Sequence, residues 1–160
     1  MIIRHATVED VDLMSSVESK CFPKEEACIK EEFFERVQNY GNHFWLMFDE
    51  DELIAFIDGL VTDEPNLTDE MYEKASMHNE NGAWQMIFGV NTIPEYRRNG
   101  YAGKLIKCII NDARKHGRKG LVLTCKDKLI LYYSKFGFID EGISNSKHGN
   151  VVWHQMRLIF

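Results

Sequence analysis

The 160-residue sequence predicts a mixed α/β fold, with a largely antiparallel sheet, a parallel central pair of strands and flanking helices. Three observations carry that prediction. Short apolar runs of strand length alternate with stretches whose apolar residues recur at three- and four-residue steps. Strand, helix and strand follow one another across residues 84–125, the order of a βαβ unit, whose two strands run parallel. The early strands are separated by too few residues for anything but antiparallel pairing. The chain is expected to form one domain over residues 1–160, and its size suffices for a core that needs no metal or disulfide.

The elements follow in order. Ile2–Ala6 reads as a short strand. Thr7 caps a helix, with Asp10 three residues on as a short-chain capping box, and Val11, Met14, Val17 and Cys21 form its apolar stripe, so it runs to about Ser19 before Pro23. Ala27, Phe33, Phe34 and Val37 place a second helix over Lys24–Gln38 with an acidic outer face. Phe44–Phe48 and Leu53–Ile57 form two antiparallel strands across Asp49–Glu52. Residues 63–83 are polar and read as a long loop with a short helix near Asp69–Ala75. Trp84–Val90 reads as one strand, Tyr101–Lys115 as a long amphipathic helix ended by Gly117 and Gly120, and Leu121–Thr124 as the next strand. A helix near Lys128–Lys135 and strands near Phe138–Ile143 and Val151–Leu158 complete the chain.

Charge narrows the classes of function. The formal net charge is −6, but residues 1–96 hold 6 Lys/Arg against 21 Asp/Glu, while residues 97–135 hold 11 against 2. Overall acidity argues against a nucleic-acid binder. No apolar run approaches the roughly 20 residues of a membrane span, and the N-terminus lacks the basic start and apolar stretch of a signal peptide. Cys21, Cys28, Cys108 and Cys125 form no C-x-x-C pair and read as free thiols, and the histidines show no metal-ligand spacing, so no metal is expected. A cytoplasmic protein, monomer or homodimer, is expected.

The chemistry concentrates where the cations do. Arg97-Arg98-Asn99-Gly100-Tyr101-Ala102-Gly103-Lys104 lies between a strand and a long helix, where orphan N–H groups and the helix dipole favour an anion. Gly100, Ala102 and Gly103 allow phosphate oxygens close to the backbone. A P-loop fails because Leu105 follows Lys104, and a dinucleotide fingerprint fails for want of a third glycine. A plain glycine turn opening a solvated basic helix explains the same residues.

Arg97-x-x-Gly100-x-Ala102 resembles the Q/R-x-x-G-x-G/A pyrophosphate motif of the GNAT superfamily of N-acetyltransferases. Leu129 to Phe138, with Tyr133 followed by Gly137-Phe138, is similar to that superfamily's helix ending in Tyr-x-x-x-Gly-Phe. The resemblance spans Ile2 to about Leu158. Glu18-x-x-Cys21-Phe22, Met77-His78 and Cys125-x-Asp127-x-Leu129 resemble the serotonin (arylalkylamine) N-acetyltransferase branch and its bacterial relatives.

The resemblance implies the GNAT acyl-CoA N-acyltransferase fold, with acetyl-CoA as co-substrate and no metal. The backbone of Val90, Asn91 and Thr92 would pair with the pantetheine arm, and the Arg97 motif with the amides of Arg98, Asn99, Gly100, Tyr101, Ala102 and Gly103 would hold the pyrophosphate. Tyr133 would protonate the departing thiolate. Where the branch carries two strand histidines this chain has Met86 and Phe88, so His78 is the first substitute base, His148 the second, and a water chain to Glu26 a third. Lys126 stands where many members have a cofactor-contacting asparagine, and a lysine there would reach a phosphate. Phe22 would stack on the acceptor, while Glu25 or Glu26 would attract its ammonium. Cys125 is expected to be a buried, inert thiol. The implied function is acetyl transfer to a small primary amine, arylalkylamine-like or polyamine-like. Protein or peptide N-terminal acetylation and a non-catalytic acyl-CoA-binding module are the alternatives.

Overall fold

A computed structural model describes the whole chain, Met1–Phe160. Its elements are β1 (Ile2–Arg4), α1 (Val11–Cys21), α2 (Lys30–Tyr40), β2 (Phe44–Asp49), β3 (Glu52–Asp58), β4 (Val61–Thr62), α3 (Glu70–Glu73), β5 (Trp84–Ile87), β6 (Val90–Thr92), α4 (Tyr101–Lys115), β7 (Gly120–Cys125), α5 (Ile130–Ser134), β8 (Ile139–Ile143) and β9 (His154–Ile159). The strands form two sheets, ordered β1-β2-β3-β6 and β4-β5-β7-β9-β8. All pairings are antiparallel except β5 with β7, the parallel pair bridged by α4.

The N-terminal strand is tied to the first helix by one carboxylate. Asp10 accepts two hydrogen bonds from Arg4, both at 2.8 Å, and another from the Thr7 N–H at 2.8 Å. The first turn, Val8–Asp10, is a 3-10 turn, so the regular helix starts at Val11. The second helix starts later than its sequence suggests, because Pro23 to Ala27 forms turns closed by the Glu26 and Ala27 N–H groups on the Pro23 carbonyl.

The central strands β2 and β3 of the first sheet are buried on both faces, while β1 is an exposed edge. Phe33 of α2 meets Phe44 and Phe56 edge-on, so the even residues of β2 face α1 and α2. Trp45 points the other way and donates its indole N–H to Asp112 of α4 at 2.8 Å. The apolar face of α4, with Leu105, Ile106 and Ile109 fully buried, fills that second side. No helix is long and apolar enough to cross a membrane. β8 is an open sheet edge, with Ile139 and Ile143 exposed.

The strand expected over Trp84–Val90 is two strands in two sheets. β5 pairs with β4 and β7, whereas β6 pairs with β3. Gly59 lets the chain leaving β3 press onto β5, since a Cβ there would lie 1.9 Å from the Met86 carbonyl oxygen. The register ends at Ile87 opposite Leu123; beyond it β6 turns to β3 while β7 continues beside β9 to Cys125. Two neighbouring parallel strands therefore separate at Phe88–Gly89, and the functional cleft lies between them.

Candidate active site

The cleft measures about 820 Å³. One wall carries Gly89, Val90 and Thr92, and the other Leu123 to Lys126; the head of α4, α5 and the connection from α1 to α2 close its ends. Antiparallel alternation decides which groups of β6 face it. Ile93 donates to the Ile54 carbonyl, so Asn91, two residues earlier, also turns its backbone to β3. Val90 and Thr92 face the opening. Asn91 is thus corrected as a pantetheine-pairing residue: its peptide groups are spent inside the sheet, and its side chain is fully buried.

At the basic end, Gly100 caps α4 with φ +79°, a left-handed conformation that glycine adopts without strain. The N–H groups of residues 98–103 find no acceptor in the chain, and the first paired amide is Lys104, to the Gly100 carbonyl at 3.1 Å. Asn99 holds the turn by donating its side-chain amide to the Tyr96 and Arg97 carbonyls. Arg97 ties it to β6, donating from Nε to the Thr92 carbonyl at 2.9 Å. Six unpaired amides at the positive end of a 15-residue helix suit a diphosphate.

Tyr133, on α5, lines the cleft with its ring packed against Phe138 and Tyr132. Burial raises its pKa, so its hydroxyl stays protonated and able to donate. Cys125 beside it gives its thiol hydrogen to Met156 Sδ at 3.6 Å, and burial pushes its pKa up to about 11, so it is no thiolate at neutral pH.

The other end is built from side chains far apart in sequence. Glu18 of α1 is buried; its Oε2 accepts the Cys28 N–H at 2.9 Å, while Oε1 has no partner. Arg36 of α2 forms a buried ion pair with Asp58 at 3.0 Å, donates to the Tyr72 carbonyl, and lies over the Phe88 ring. Burial raises the Asp58 carboxyl against the pull of that guanidinium. His148 donates from Nε2 to the Glu26 carbonyl at 2.8 Å and stacks on Tyr72, with ring centroids 4.8 Å apart. Asp69 takes the Ser146 hydroxyl at 2.5 Å and the Lys147 N–H at 2.9 Å. These contacts draw the connection between β8 and β9 over the cleft as a roof.

Three other expected residues are placed differently. Lys126 does not reach towards the α4 turn; its Nζ sits 3.1 Å from Glu26 Oε2, spanning the cleft. Glu26 is buried and lines the cleft with Phe22, but its charge is met by that lysine, and Glu25 points to solvent. His78 is outside the cleft altogether. Its Nδ1 accepts the Val61 N–H at 3.0 Å, so its proton sits on Nε2, which faces Glu80 at 3.0 Å. His43, His78 and Glu80 present atoms within 4.8 Å of one another, yet a metal would need the His78 nitrogen that carries this proton.

Glu18 entered the sequence reading only as part of the Glu18-x-x-Cys21-Phe22 resemblance, with no role, and Arg36 not at all, although a signal existed. Glu18 falls in the stripe Met14–Val17–Cys21, and Arg36 in Phe33–Val37–Tyr40, each a charge on a face that packs inward. A charge in an apolar stripe marks either a buried pair or a site.

The acetyltransferase (GNAT) family model matches residues 11–138. No curated protein matches the sequence. Among solved structures, the loading GNATL domain of CurA from Lyngbya majuscula aligns at TM-score 0.85 with 16% identity, covering 99% of this chain and 96% of that one. A GphF GNAT-like decarboxylase in complex with isobutyryl-CoA aligns at 0.85 with 17% identity, covering 99% of both chains. The ribosomal-protein-S18-alanine N-acetyltransferase from Escherichia coli aligns at 0.73 with 16% identity over 99% of this chain and 92% of that one.

The cleft and the family match together define the class: the chain belongs to the acetyltransferase (GNAT) family. That family is one of acetyltransferases. The structural likenesses, all at low identity, establish the fold, and their differing names leave the acceptor to be argued from this chain's own side chains.

Proposed function

We propose that this protein transfers the acetyl group of acetyl-CoA to a small primary amine. The observation that carries the reading is the run of six unpaired amides at residues 98–103, next to the edge of β6 that the split sheet leaves without a partner strand, its Thr92 carbonyl held by Arg97 and Cys21, and a protonated Tyr133 further along the same cleft. The diphosphate is held on those amides, and the pantetheine arm lies along Val90 and Thr92 as an added strand. Tyr133 gives its proton to the departing thiolate.

Two features favour a compact cationic acceptor over a peptide. The roof made by Lys126 on Glu26, His148 on the Glu26 carbonyl and the Tyr72–His148 stack leaves little room for an extended chain. Acidic residues dominate that end: Glu18, Glu26, Glu32, Asp69 and Glu73 line it against Arg36, itself paired with Asp58, Lys126, paired with Glu26, and Lys147. Phe22 and Trp153 offer apolar surface for the acceptor's carbon skeleton.

The test is thiol release from acetyl-CoA with a panel of arylalkylamines, polyamines, amino-sugars and short peptides. Amine-dependent release, fastest with compact amines, is expected. Release with peptides alone contradicts the acceptor assignment. Silence across the panel despite acetyl-CoA binding points to a binding module without turnover.

A further inference from the structure

We propose that Glu18 is the proton acceptor of the transfer, receiving the attacking amine's proton on its unpartnered Oε1. This inference rests on the reading of the cleft as an amine acetyltransferase site, and the argument for it is geometric. Glu18 is 6% exposed, lines the cleft and carries a carboxylate oxygen with no hydrogen-bond partner. Glu26 also has an unpartnered Oε1, but its charge is met by Lys126 as that of Asp58 is by Arg36, whereas Glu18 has no cation in ion-pair contact.

Its position is set by the break in the sheet. Glu18 Oε1 and Asn91 Nδ2 lie 3.5 and 3.2 Å from the point that a Cβ on Gly89 would occupy. Gly89 is where β6 parts from β5, the deep end of an acyl chain running from the α4 turn along Val90 and Thr92. With the acyl chain lying as proposed along β6, an oxygen there would face the thioester carbonyl as an amine reaches it.

The charged and titratable groups around Glu18 are Cys21 on its own helix, Cys28 on the following loop, Arg36 on α2 and Asp58 on β3. Burial dominates and, with the Asp58 charge, raises Glu18 to about 7, against the lowering effect of the Cys28 N–H, Arg36 and the neighbouring Asn91 side-chain amide. A base poised there is half-ionised at neutral pH and strong enough to take a proton as the C–N bond forms. Atoms balance simply. The amine nitrogen bonds to the acetyl carbon, the C–S bond breaks, Glu18 gains the N–H proton and the sulfur gains that of Tyr133. One proton exchange through water then restores both groups.

The test is the pH dependence of kcat, at saturating acetyl-CoA and amine, for wild type, Glu18→Gln and His148→Gln. Wild type should show a rising limb near pH 7. In Glu18→Gln the limb should vanish and kcat should fall about 100-fold or more, with the KM for acetyl-CoA within about twofold of wild type. The limb should survive in His148→Gln. A limb that persists in Glu18→Gln, or is lost in His148→Gln instead, overturns the assignment. Should Glu18→Gln not fold, the carboxyl carbon resonance of Glu18 in the wild-type protein decides: titration near pH 7 supports the proposal, and titration in the ordinary carboxylate range overturns it. A wild-type enzyme silent with every amine overturns the underlying reading, and this inference with it.

Discussion

The two ends of the cleft are built from different material. The basic end is backbone: consecutive amides at residues 98–103, a left-handed Gly100 and a helix dipole, all from one stretch of chain. The acidic end is side chain: Glu18 from α1, Arg36 from α2, Asp58 from β3, Tyr72 from α3 and His148 from the last connection. A backbone site depends on conformation and tolerates many side chains. A side-chain site depends on particular atoms held by long-range packing, so it can change its acceptor while the fold and donor stay the same. The differing names of proteins sharing this fold at 16–17% identity are in keeping with that division.

The contrast can be broken by substitution, and the largest effect is expected at the junction of the two ends. On the proposed chemistry, Tyr133→Phe lowers kcat about 100-fold while acetyl-CoA affinity by titration calorimetry stays within about twofold. Full activity in that variant removes the acid assignment.

Glu18→Gln offers a second, purely thermodynamic check at the acidic end. A carboxyl raised from 4.5 to about 7 on folding binds its proton more tightly in the native state. Stability therefore falls as pH rises from about 4.5 to about 7 and stays low above it. Glutamine has no such slope, so the variant should gain on wild type across that interval, by about 3 kcal/mol at most. Urea midpoints at pH 5 and pH 8 measure it. Equal gains at both pH values would contradict a buried, strained carboxyl.

Gly100→Val tests the basic end. A β-branched residue at φ +79° costs about 1–2 kcal/mol in conformation and misplaces the amides. Acetyl-CoA affinity should weaken about tenfold with kcat little changed, and unchanged affinity would mean that the turn is not the anion cradle. The smallest effect belongs to His78→Gln, which should leave kcat unchanged and cost about 1–2 kcal/mol of stability through the lost partner of the Val61 N–H.

What was legible follows the same division. The helix Tyr101–Lys115, the βαβ order and the anion turn are local patterns, and a local pattern survives in one sequence. The division of Trp84–Thr92 was not legible, because nothing in that apolar run says that β6 pairs with β3 while β5 pairs with β7. His78 failed as a base for a related reason: its loop carries it beside Val61 and Glu80, and only the pairing of β4 with β5 fixes that. Lys126 meets a glutamate 100 positions away. Glu18 was within reach of sequence reasoning, as a lone carboxyl in an apolar helical stripe.

A crystal structure with coenzyme A and the best amine bound tests the central claim most directly. The diphosphate should lie within hydrogen-bonding distance of the residue 98–103 amides, the sulfur against the Tyr133 hydroxyl, and the amine nitrogen within one water of Glu18 Oε1. Coenzyme A seated elsewhere, or an amine nitrogen lying away from both Tyr133 and Glu18, would contradict it.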